Sequence, residues 1–237
     1  MLRFVFVAAC VGAAVAAEAQ VGYTPERSPY RDLERRHEVS IISGHYRAET
    51  DPAGVAPRSG PLVGVRYQWL AGGPVNLTAD VLRVESERRV LDPDLPATCT
   101  GKPAADCKMV SRYRWPLYFV DAGMSVNLTG SRTWKRLVPE ARGSIGLASD
   151  FHTSPDIGDF QFGTKFNFGF GAGVRWVPRP QYQVRFDIGT RVYTVSYPDT
   201  YFTLAPDTTR VLPFGTRKKQ WLNNPQFSLG VSYLLGR

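Results

Sequence analysis

The chain is dominated by segments in which apolar and polar side chains alternate. The clearest example is the segment 182–196, in which one face is apolar and the other is polar or charged. The apolar face carries Tyr182, Val184, Phe186, Ile188, Thr190 and Val192, and the other carries Gln183, Arg185, Asp187, Gly189, Arg191 and Tyr193. A period of two is typical of a β-strand, and after about residue 36 almost no segment shows a helical period. The sequence therefore predicts an all-β protein.

Seven further segments show this alternation, which gives eight predicted strands. The strands lie at about residues 38–47, 63–69, 75–81, 118–128, 137–151, 166–177, 182–196 and 226–235. In the first of them, Val39 and Ile41 fall on one face while Ile42 and Tyr46 fall on the other. The facing of the first strand therefore stays open.

The connections between the predicted strands alternate in length. Short ones follow strands two, four and six, at residues 71–74, 129–136 and 178–181. Long ones follow strands one, three, five and seven, at residues 49–61, about 86–112, 152–165 and 197–220. Short turns at one rim and long loops at the other are typical of a membrane barrel with periplasmic turns and external loops. We therefore predict an eight-stranded antiparallel up-and-down transmembrane β-barrel over residues 37–237.

The polar face of the strands favours a membrane barrel over a soluble one. It combines small residues with a charged set that contains no lysine: Arg66, Asp80, Asp121, Glu140, Arg142, Arg175, Arg185, Asp187 and Arg191. Arginines and carboxylates separated by glycines suit a confined interior, where bidentate ion pairs satisfy both partners. On the apolar face, large rings lie towards the strand ends, as expected at lipid headgroups: Trp69, Tyr118, Trp176, Tyr182 and Tyr233. The alternative is a secreted soluble β-sandwich, whose apolar face would point inward.

Three stretches resemble the last strands of small outer-membrane β-barrel proteins of the OmpA/OmpX type. They are LVPEARGSIGL at 137–147, FGFGAGVRW at 168–176 and VRFDIGTRVY at 184–193. The resemblance implies a barrel in the bacterial outer membrane, surrounded by outer-membrane lipids and inserted by the barrel-assembly machinery. Members usually end on an aromatic residue that this machinery reads. Here the last strand departs from that pattern but keeps the outward alternation of Phe227, Leu229, Val231, Tyr233 and Leu235.

The N-terminus predicts export. A positive start at 1–3 precedes an apolar stretch at 4–16, which is too short to span a bilayer, and a small-x-small cleavage site at 17–19. We predict a cleaved signal peptide at 1–19 and a polar periplasmic segment at 20–36, with room for one helical turn. A lipoprotein-like box at 7–10 leaves open the alternative that Cys10 is lipidated.

Two cysteines remain after this cleavage. Cys99 and Cys107 lie in a stretch rich in Pro, Gly and Asp, and in an exported chain this spacing predicts a local disulfide, with two free thiols as the alternative. The histidines His37, His45 and His152 are scattered, and none has ligand spacing from the cysteines. We therefore expect no metal site.

Composition excludes several classes of protein. The 237 residues carry a net charge of +8, with 43% hydrophobic and 21% charged residues, 22 Gly and 18 Pro. These values do not fit a disordered tail, a collagen repeat or a disulfide-dense miniprotein. Beyond the N-terminus no run of about 18 apolar residues occurs, which excludes a helical membrane protein but not a barrel.

An eight-stranded barrel is about wide enough to be filled by its own side chains. We expect the charged set to form a network that closes the lumen, with Gly169, Gly171 and Gly173 making room for long arginines. A structural or loop-displaying role follows, and a gated, porin-like channel for small solutes is the alternative. A lipid A-modifying enzyme is the third possibility, because lipid A deacylase barrels use a His-x-Ser pair with a Glu and residues 152–154 are His-Thr-Ser. No Glu follows His152, so we expect no catalytic residue and no cofactor.

The expected partners follow from charge and loop length. The basic run Arg217, Lys218 and Lys219 lies near the expected outer boundary, where cations can contact lipopolysaccharide phosphates. A nucleic-acid partner is not expected, because the arginines are dispersed. The long loops are the expected carriers of binding to an extracellular ligand. They contain Cys99, Cys107, Phe160, Phe162, Tyr201, Phe202 and Phe214.

Overall fold

The protein is built almost entirely from antiparallel strands. The computed structural model describes residues 28–33, 36–97, 99 and 101–235. These residues contain β1 (Tyr30–Asp32), β2 (His37–Tyr46), β3 (Gly60–Gly72), β4 (Val75–Val84), β5 (Glu87–Leu91), β6 (Met109–Arg114), β7 (Leu117–Asn127), β8 (Arg132–Trp134), β9 (Leu137–Ser149), β10 (Thr164–Arg179), β11 (Tyr182–Ser196) and β12 (Lys219–Leu235). They also contain one short helix, α1 (Ala104–Cys107), and a 3-10 turn at Asp199–Tyr201. The predicted signal peptide at 1–19, with Cys10, lies outside the described residues.

Eight of the strands close into a barrel. The neighbours around it are β2, β3, β4, β7, β9, β10, β11 and β12, and β12 pairs back with β2. Every pairing is antiparallel, which confirms the predicted up-and-down barrel. The barrel strands are 10 to 17 residues long, whereas a tilted strand needs about 9–11 residues to cross a bilayer. No helix in the described part of the chain is long and apolar enough to cross a membrane.

The two ends of the barrel differ as predicted. At the end that we call the turn rim, strands are joined by the short connections 73–74, 128–136 and 180–181. At the opposite end, the loop rim, they are joined by residues 47–59, 85–116, 150–163 and 197–218. We refer to these four long connections together as the loop cap. The cap contains a second, two-stranded sheet, formed by the hairpin of β5 and β6.

One strand boundary differs from expectation, and two connections hold short strands. The last strand begins at Lys219 and not near residue 226, because β11 offers it partners as far as Ser196. Within the segment predicted at 20–36, Tyr30–Asp32 form β1, which pairs with β8 inside the short connection predicted at 129–136, while residues 20–27 and 34–35 lie outside the described residues. The long connection predicted at about 86–112 holds β5, α1 and most of β6.

The facing of the first strand is settled by burial. Glu38, Ser40 and Ile42 are buried inside the barrel, while Ile41 is 67% exposed outside. The inward row changes from polar to apolar between Ser40 and Ile42. This change marks the boundary between two zones of the barrel interior.

Candidate functional site

The outer face of the barrel is a continuous apolar belt. Large hydrophobic side chains are exposed on all eight barrel strands, among them Ile41, Val65, Val81, Val120, Met124, Ile145, Leu147, Phe170, Val174, Phe186, Ile188, Leu229 and Val231. Soluble monomers rarely expose contiguous apolar patches beyond a few hundred Å². A belt of this kind is what the hydrocarbon core of a membrane covers.

Aromatic rings bound this belt at both rims. Trp69, Trp176 and Tyr182 lie at the turn rim, and Phe166 and Trp221 lie towards the loop rim. Phe166 and Trp176 are both on β10, about 33 Å apart along an extended strand, which is about 25 Å along the barrel axis for a tilt of about 40°. The belt therefore has the height of an outer-membrane hydrocarbon layer.

Arg185 is the centre of the turn-side interior. Its guanidinium contacts three carboxylates, Glu38 at 3.1 Å, Glu140 at 2.5 Å and Asp187 at 2.9 Å. The Arg185 side chain is fully buried, so these ion pairs satisfy donors that water cannot reach. A methyl group added at Gly230 would lie 2.9 Å from Arg185 Cγ, so glycine at this position makes room for the arginine.

Two further arginines extend this cluster across the lumen. Arg66 donates to Asp80 through Nε at 2.6 Å and Nη2 at 2.8 Å, and its Nη1 reaches Asp187 at 3.1 Å. Arg175 contacts Glu38 at 2.9 Å and Glu140 at 3.2 Å. Because Glu38, Glu140 and Asp187 are each shared between arginines, the pairs form one network.

A separate ion pair lies closer to the loop rim. Arg191 donates to one oxygen of Asp121, and Asn167 donates to the other at 2.7 Å. The Arg191 guanidinium also lies 4.4 Å from the centre of the Phe119 ring. This pair therefore joins the charged zone to the apolar zone above it.

The charges of the turn-side interior balance. Five arginines face five carboxylates: Arg66, Arg142, Arg175, Arg185 and Arg191, with Glu38, Asp80, Asp121, Glu140 and Asp187. Nine of these ten residues are the charged set chosen from the sequence. The sequence pattern does not identify Glu38, because Ile42 and Tyr46 on the same face mask its inward direction. The glycines act differently from expectation. An added methyl would collide with Ser144 at Gly169 and with Asp187 at Gly173, and only at Gly171 does an arginine, Arg142, lie nearby, at 3.5 Å.

The loop-side interior is filled by apolar side chains. Barrel strands contribute Ile42, Tyr46, Leu62, Leu82, Phe119, Tyr193 and Leu222, and the loop cap contributes Val55, Phe160, Phe162, Tyr201 and Leu212. The hydroxyls of Tyr46 and Tyr193 hydrogen-bond each other at 2.9 Å. The cap therefore enters the mouth of the barrel as an apolar plug.

Arg88, on β5, fastens the hairpin to the rest of the cap. It is 1% exposed, donates to Asp156 at 2.9 Å, and lies 4.3 Å from the ring centre of Trp115 and 5.2 Å from that of Phe160. Burial raises the pKa of the Asp156 carboxyl above its ordinary value, and the charge of Arg88 opposes this rise. Arg88 is a structural anchor that the strand pattern does not reveal, because it lies within a long connection between barrel strands.

Two more buried polar groups hold the cap in place. The Lys108 ammonium donates to the carbonyls of Pro93 and Leu95, both at 2.7 Å. The Asp51 carboxylate accepts a hydrogen bond from the Tyr197 hydroxyl at 2.9 Å. Burial and the Asp51 charge raise the pKa of Tyr197, so this phenol stays a hydrogen-bond donor.

The loop residues predicted to meet a ligand have different surroundings. Phe160, Phe162 and Tyr201 are buried, because they form the plug, and cannot be displayed. Phe202 is half-buried, while Phe214 is 93% exposed. Cys99 and Cys107 form the predicted disulfide, with Cα atoms 5.7 Å apart.

The basic run is exposed at the loop rim. Arg217 and Lys219 line a depression together with Phe214 and Trp221, while the Lys218 ammonium pairs with Asp199 at 2.6 Å.

The histidine of the His-x-Ser pair contacts an aromatic ring of the loop cap. His152 packs against Trp115, with ring centres 4.4 Å apart. Within the described residues no hydrogen bond joins its side chain to that of Ser154. Among the same residues, no group of three or more His, Cys, Asp or Glu side chains could hold a metal ion.

An apolar belt around a charged lumen, closed by strand pairing, defines a transmembrane β-barrel of eight strands. No protein-family model matches the chain, and no curated protein matches it. The class is defined by the geometry of this chain alone.

Solved structures of outer-membrane barrels are similar to this chain at low sequence identity. Neisserial surface protein A is 16% identical over 84% of this chain and 97% of its own, with a TM-score of 0.47. Ail of Yersinia pestis is 14% identical over 86% and 100%, with a TM-score of 0.37. OprG from Pseudomonas aeruginosa is 7% identical over 86% and 98%, with a TM-score of 0.44. At these values the similarities carry no argument about function.

Proposed function

We propose that the protein is an outer-membrane barrel that displays an ordered loop cap and has a closed lumen. The observation that supports this is that two kinds of side chain fill the barrel interior, charged ones towards the turn rim and apolar ones towards the loop rim. The turn side holds ten mutually paired charges, and the loop side holds an apolar plug. A hydrated path for solutes would have to break both, which supports a closed lumen. The role that we propose is structural and loop-displaying, without catalysis.

Conductance in planar bilayers tests the closed lumen. The purified protein should insert and produce no large, steady current, with an open porin as the positive control. Membrane fractionation and a gel-mobility shift between unheated and heated samples test the barrel in the outer membrane. A steady current from the folded, heat-shiftable protein contradicts the closed lumen, whereas failure of the heat shift contradicts the barrel itself.

A gated conduit for small solutes is the second candidate. It is favoured by a cavity of about 20 Å³ at the turn rim, lined by Glu38, Asn127, Arg175 and Gln183 among others. Within the described residues, Asn127 Nδ2 and Gln183 Nε2 are buried and have no hydrogen-bond partner. Since about 10–15 Å³ holds one water, this space can hold a water molecule next to the charged network.

Ion selectivity separates the two candidates. If brief openings pass through the lumen, Glu140→Gln should change their cation preference, because it removes a charge from the ion path. An exposed-loop variant, Asp199→Asn, is the matched control. Openings with the same selectivity in Glu140→Gln and wild type contradict the conduit.

We further propose that the loop rim contacts lipopolysaccharide. Arg217 and Lys219 are exposed beside Trp221, whose ring is 62% exposed at the edge of the apolar belt. Cations next to an interfacial ring can bind the phosphates of lipid A while the ring lies among its acyl chains. The double variant Arg217→Gln/Lys219→Gln should copurify with less lipopolysaccharide than Lys218→Gln, in which a residue already paired with Asp199 is changed. Equal retention in the two contradicts this contact.

Recognition of β12 by the barrel-assembly machinery is the last proposed partnership. The outward row of β12 is apolar, and comprises Phe227, Leu229, Val231, Tyr233 and Leu235. Replacing Tyr233 by Asp should lower the amount of folded barrel in the outer membrane, whereas Ser232→Asn, on the inward row, serves as the comparison. Normal insertion of Tyr233→Asp contradicts the proposal.

A further inference from the structure

Three arginines converge on the outer face of the cap hairpin. Arg89 on β5 is paired in register with Arg112 on β6. Arg58 lies alongside β5, since its backbone N–H donates to the carbonyl of Glu87 at 3.0 Å. These arginines come from two different connections, 47–59 and 85–116, which the fold brings together.

Their arrangement is electrostatically unfavourable by itself. Like charges directly opposite each other on paired strands destabilise a sheet. Partial burial, followed by the charges of Arg89 and Arg112, lowers the pKa of the Arg58 guanidinium. Neither Arg58 nor Arg112 forms an ion pair with any residue that the structure describes. The guanidinium groups therefore repel one another across a surface of the cap.

The neighbouring carboxylates do not neutralise this cluster. Asp106 pairs with Arg89. Asp51 also faces Arg58, but it is buried and its oxygens accept hydrogen bonds from Ala56 N–H and the Tyr197 hydroxyl. Glu87 lies on the same face of the hairpin, but it pairs with Arg114. Arg58, Arg89 and Arg112 are thus left with two carboxylates, of which only Asp106 reaches solvent.

The middle arginine is held in place before any ligand arrives. Arg89 Nη1 lies 3.2 Å from the position of a methyl group on Gly54, so the arginine crosses the loop at a residue that has no side chain. Its pair with Asp106 fixes the same guanidinium. A guanidinium that is already held in one position has less conformational freedom to lose when an anion binds.

We propose that Arg58, Arg89 and Arg112 form a binding site for a soluble polyanion that carries phosphate or sulfate esters. Guanidinium groups present paired N–H donors that match tetrahedral oxyanions, and the anion would relieve the repulsion within the cluster. Lipid A is the less suitable source of that anion. Arg89 is six residues beyond Arg83, at the edge of the belt, which corresponds to up to about 20 Å of extended chain. The proposal rests on the display of an ordered cap by the barrel.

Titration with inositol hexasulfate and inositol hexakisphosphate tests this site. The folded protein in neutral detergent should bind either compound saturably at low salt, and the affinity should fall steeply as salt is added. Loss of one charged contact should weaken binding about tenfold or more, so we expect this for Arg112→Gln and near-complete loss for Arg58→Gln/Arg112→Gln. Arg114→Gln is the matched control, because Arg114 lies two residues away on β6 and pairs with Glu87 at 3.3 Å. It should stay within about threefold of wild type.

A measurement without ligand excludes misfolding as the cause. Because Arg112→Gln removes a repulsive charge, its cap should melt at the same temperature as wild type or higher, while its stabilisation by inositol hexasulfate disappears. Wild-type affinity of the double variant, or absence of binding by a folded, heat-shiftable wild-type barrel, overturns the site without affecting the barrel. Binding only to vesicles that contain lipopolysaccharide, and not to the soluble esters, also overturns it.

Discussion

The two zones of the barrel interior use opposite chemistry on the same alternating strands. On the turn side all ten charges come from the barrel strands themselves, and each charge has a partner on a strand. On the loop side, part of the filling comes from residues of the loop cap and not of the barrel strands, such as Phe160 and Leu212. The difference shows that the lining of each zone depends on whether loop residues can reach into the barrel there. Where the turns are short, the strands must fill the lumen with their own long polar side chains.

The two zones should also differ in how far the destabilising effect of a single substitution extends. In the charged zone Arg66, Arg175 and Arg185 each pair with more than one carboxylate, so removing one of them leaves several buried charges uncompensated. In the apolar zone the lost contacts are local, and the cap can loosen without opening the barrel. Stability measurements on single variants can therefore test whether the zones are independent.

Removal of Arg185 is expected to have the largest effect. Arg185→Met leaves Glu38, Glu140 and Asp187 short of a shared partner, and should cost about 3–5 kcal/mol of unfolding free energy. Urea unfolding in lipid vesicles, followed by the gel-mobility shift, measures this cost for the whole barrel. Arg83→Met is the control, because the Arg83–Glu85 pair at 2.8 Å is half-exposed and should be worth less than about 1 kcal/mol. Equal effects of the two variants would contradict a buried network.

A cavity in the plug should destabilise the cap alone. Leu212 is fully buried and its N–H donates to the Tyr201 carbonyl at 3.1 Å, so Leu212→Ala should cost the cap about 3 kcal/mol. Proteolysis of the loops should accelerate while the urea midpoint of the barrel stays at its wild-type value. Leu204→Ala makes the same change in the same loop at a residue that is 57% exposed, and should have little effect. If the barrel midpoint falls together with the cap, the two zones are one cooperative unit.

The charged zone could be predicted from sequence, because strand alternation alone shows which charged side chains point into the lumen. In 182–196 the inward row contains Arg185, Asp187 and Arg191, and membership in a row of period two is enough to place them in the lumen. Glu38 escapes because its short strand has apolar residues on both faces, so the alternation assigns neither face to the lumen. A period-two pattern assumes one environment for each face, and β2 violates that assumption between Ser40 and Ile42.

The apolar zone could not be predicted in this way, because its partners are joined by tertiary packing and not by register. Phe160 and Tyr201 lie in separate connections that have no hydrophobic periodicity. Nothing in their local sequence indicates that they pack into the mouth of the barrel. The Arg58, Arg89 and Arg112 cluster is hidden for the same reason. It requires the register of the β5–β6 hairpin and the course of the preceding loop.

Loss of the disulfide should have a smaller effect, confined to the outer part of the cap. Cys99 and Cys107 are separated by 8 residues, and closure of so short a loop is worth about 2–3 kcal/mol against the opened state. Cys99→Ser/Cys107→Ser should therefore raise hydrogen exchange in α1 and its surroundings and leave the exchange of β9 to β12 unchanged. Reduction of the wild type should reproduce the variant. Faster exchange in the barrel strands would show that the hairpin stabilises more than its own connection.

The smallest expected effect is a pH response at the edge of the cap. Hydrogen bonds from Thr209 and from the Ala97 N–H lower the pKa of Asp207 from 3.8 to about 2. Because the pKa is depressed in the folded state, the stabilising contribution is present above about pH 4 and is lost as the pH falls towards 2. The amide resonances of Ala97 and Thr209 should titrate together with a midpoint near pH 2, and Asp207→Asn should abolish that titration. A midpoint near 4, the value for a free carboxyl group, would mean that these hydrogen bonds are absent in solution. A simultaneous change in β12 resonances would instead couple this exposed carboxylate to the barrel, and would contradict the independence of the two zones.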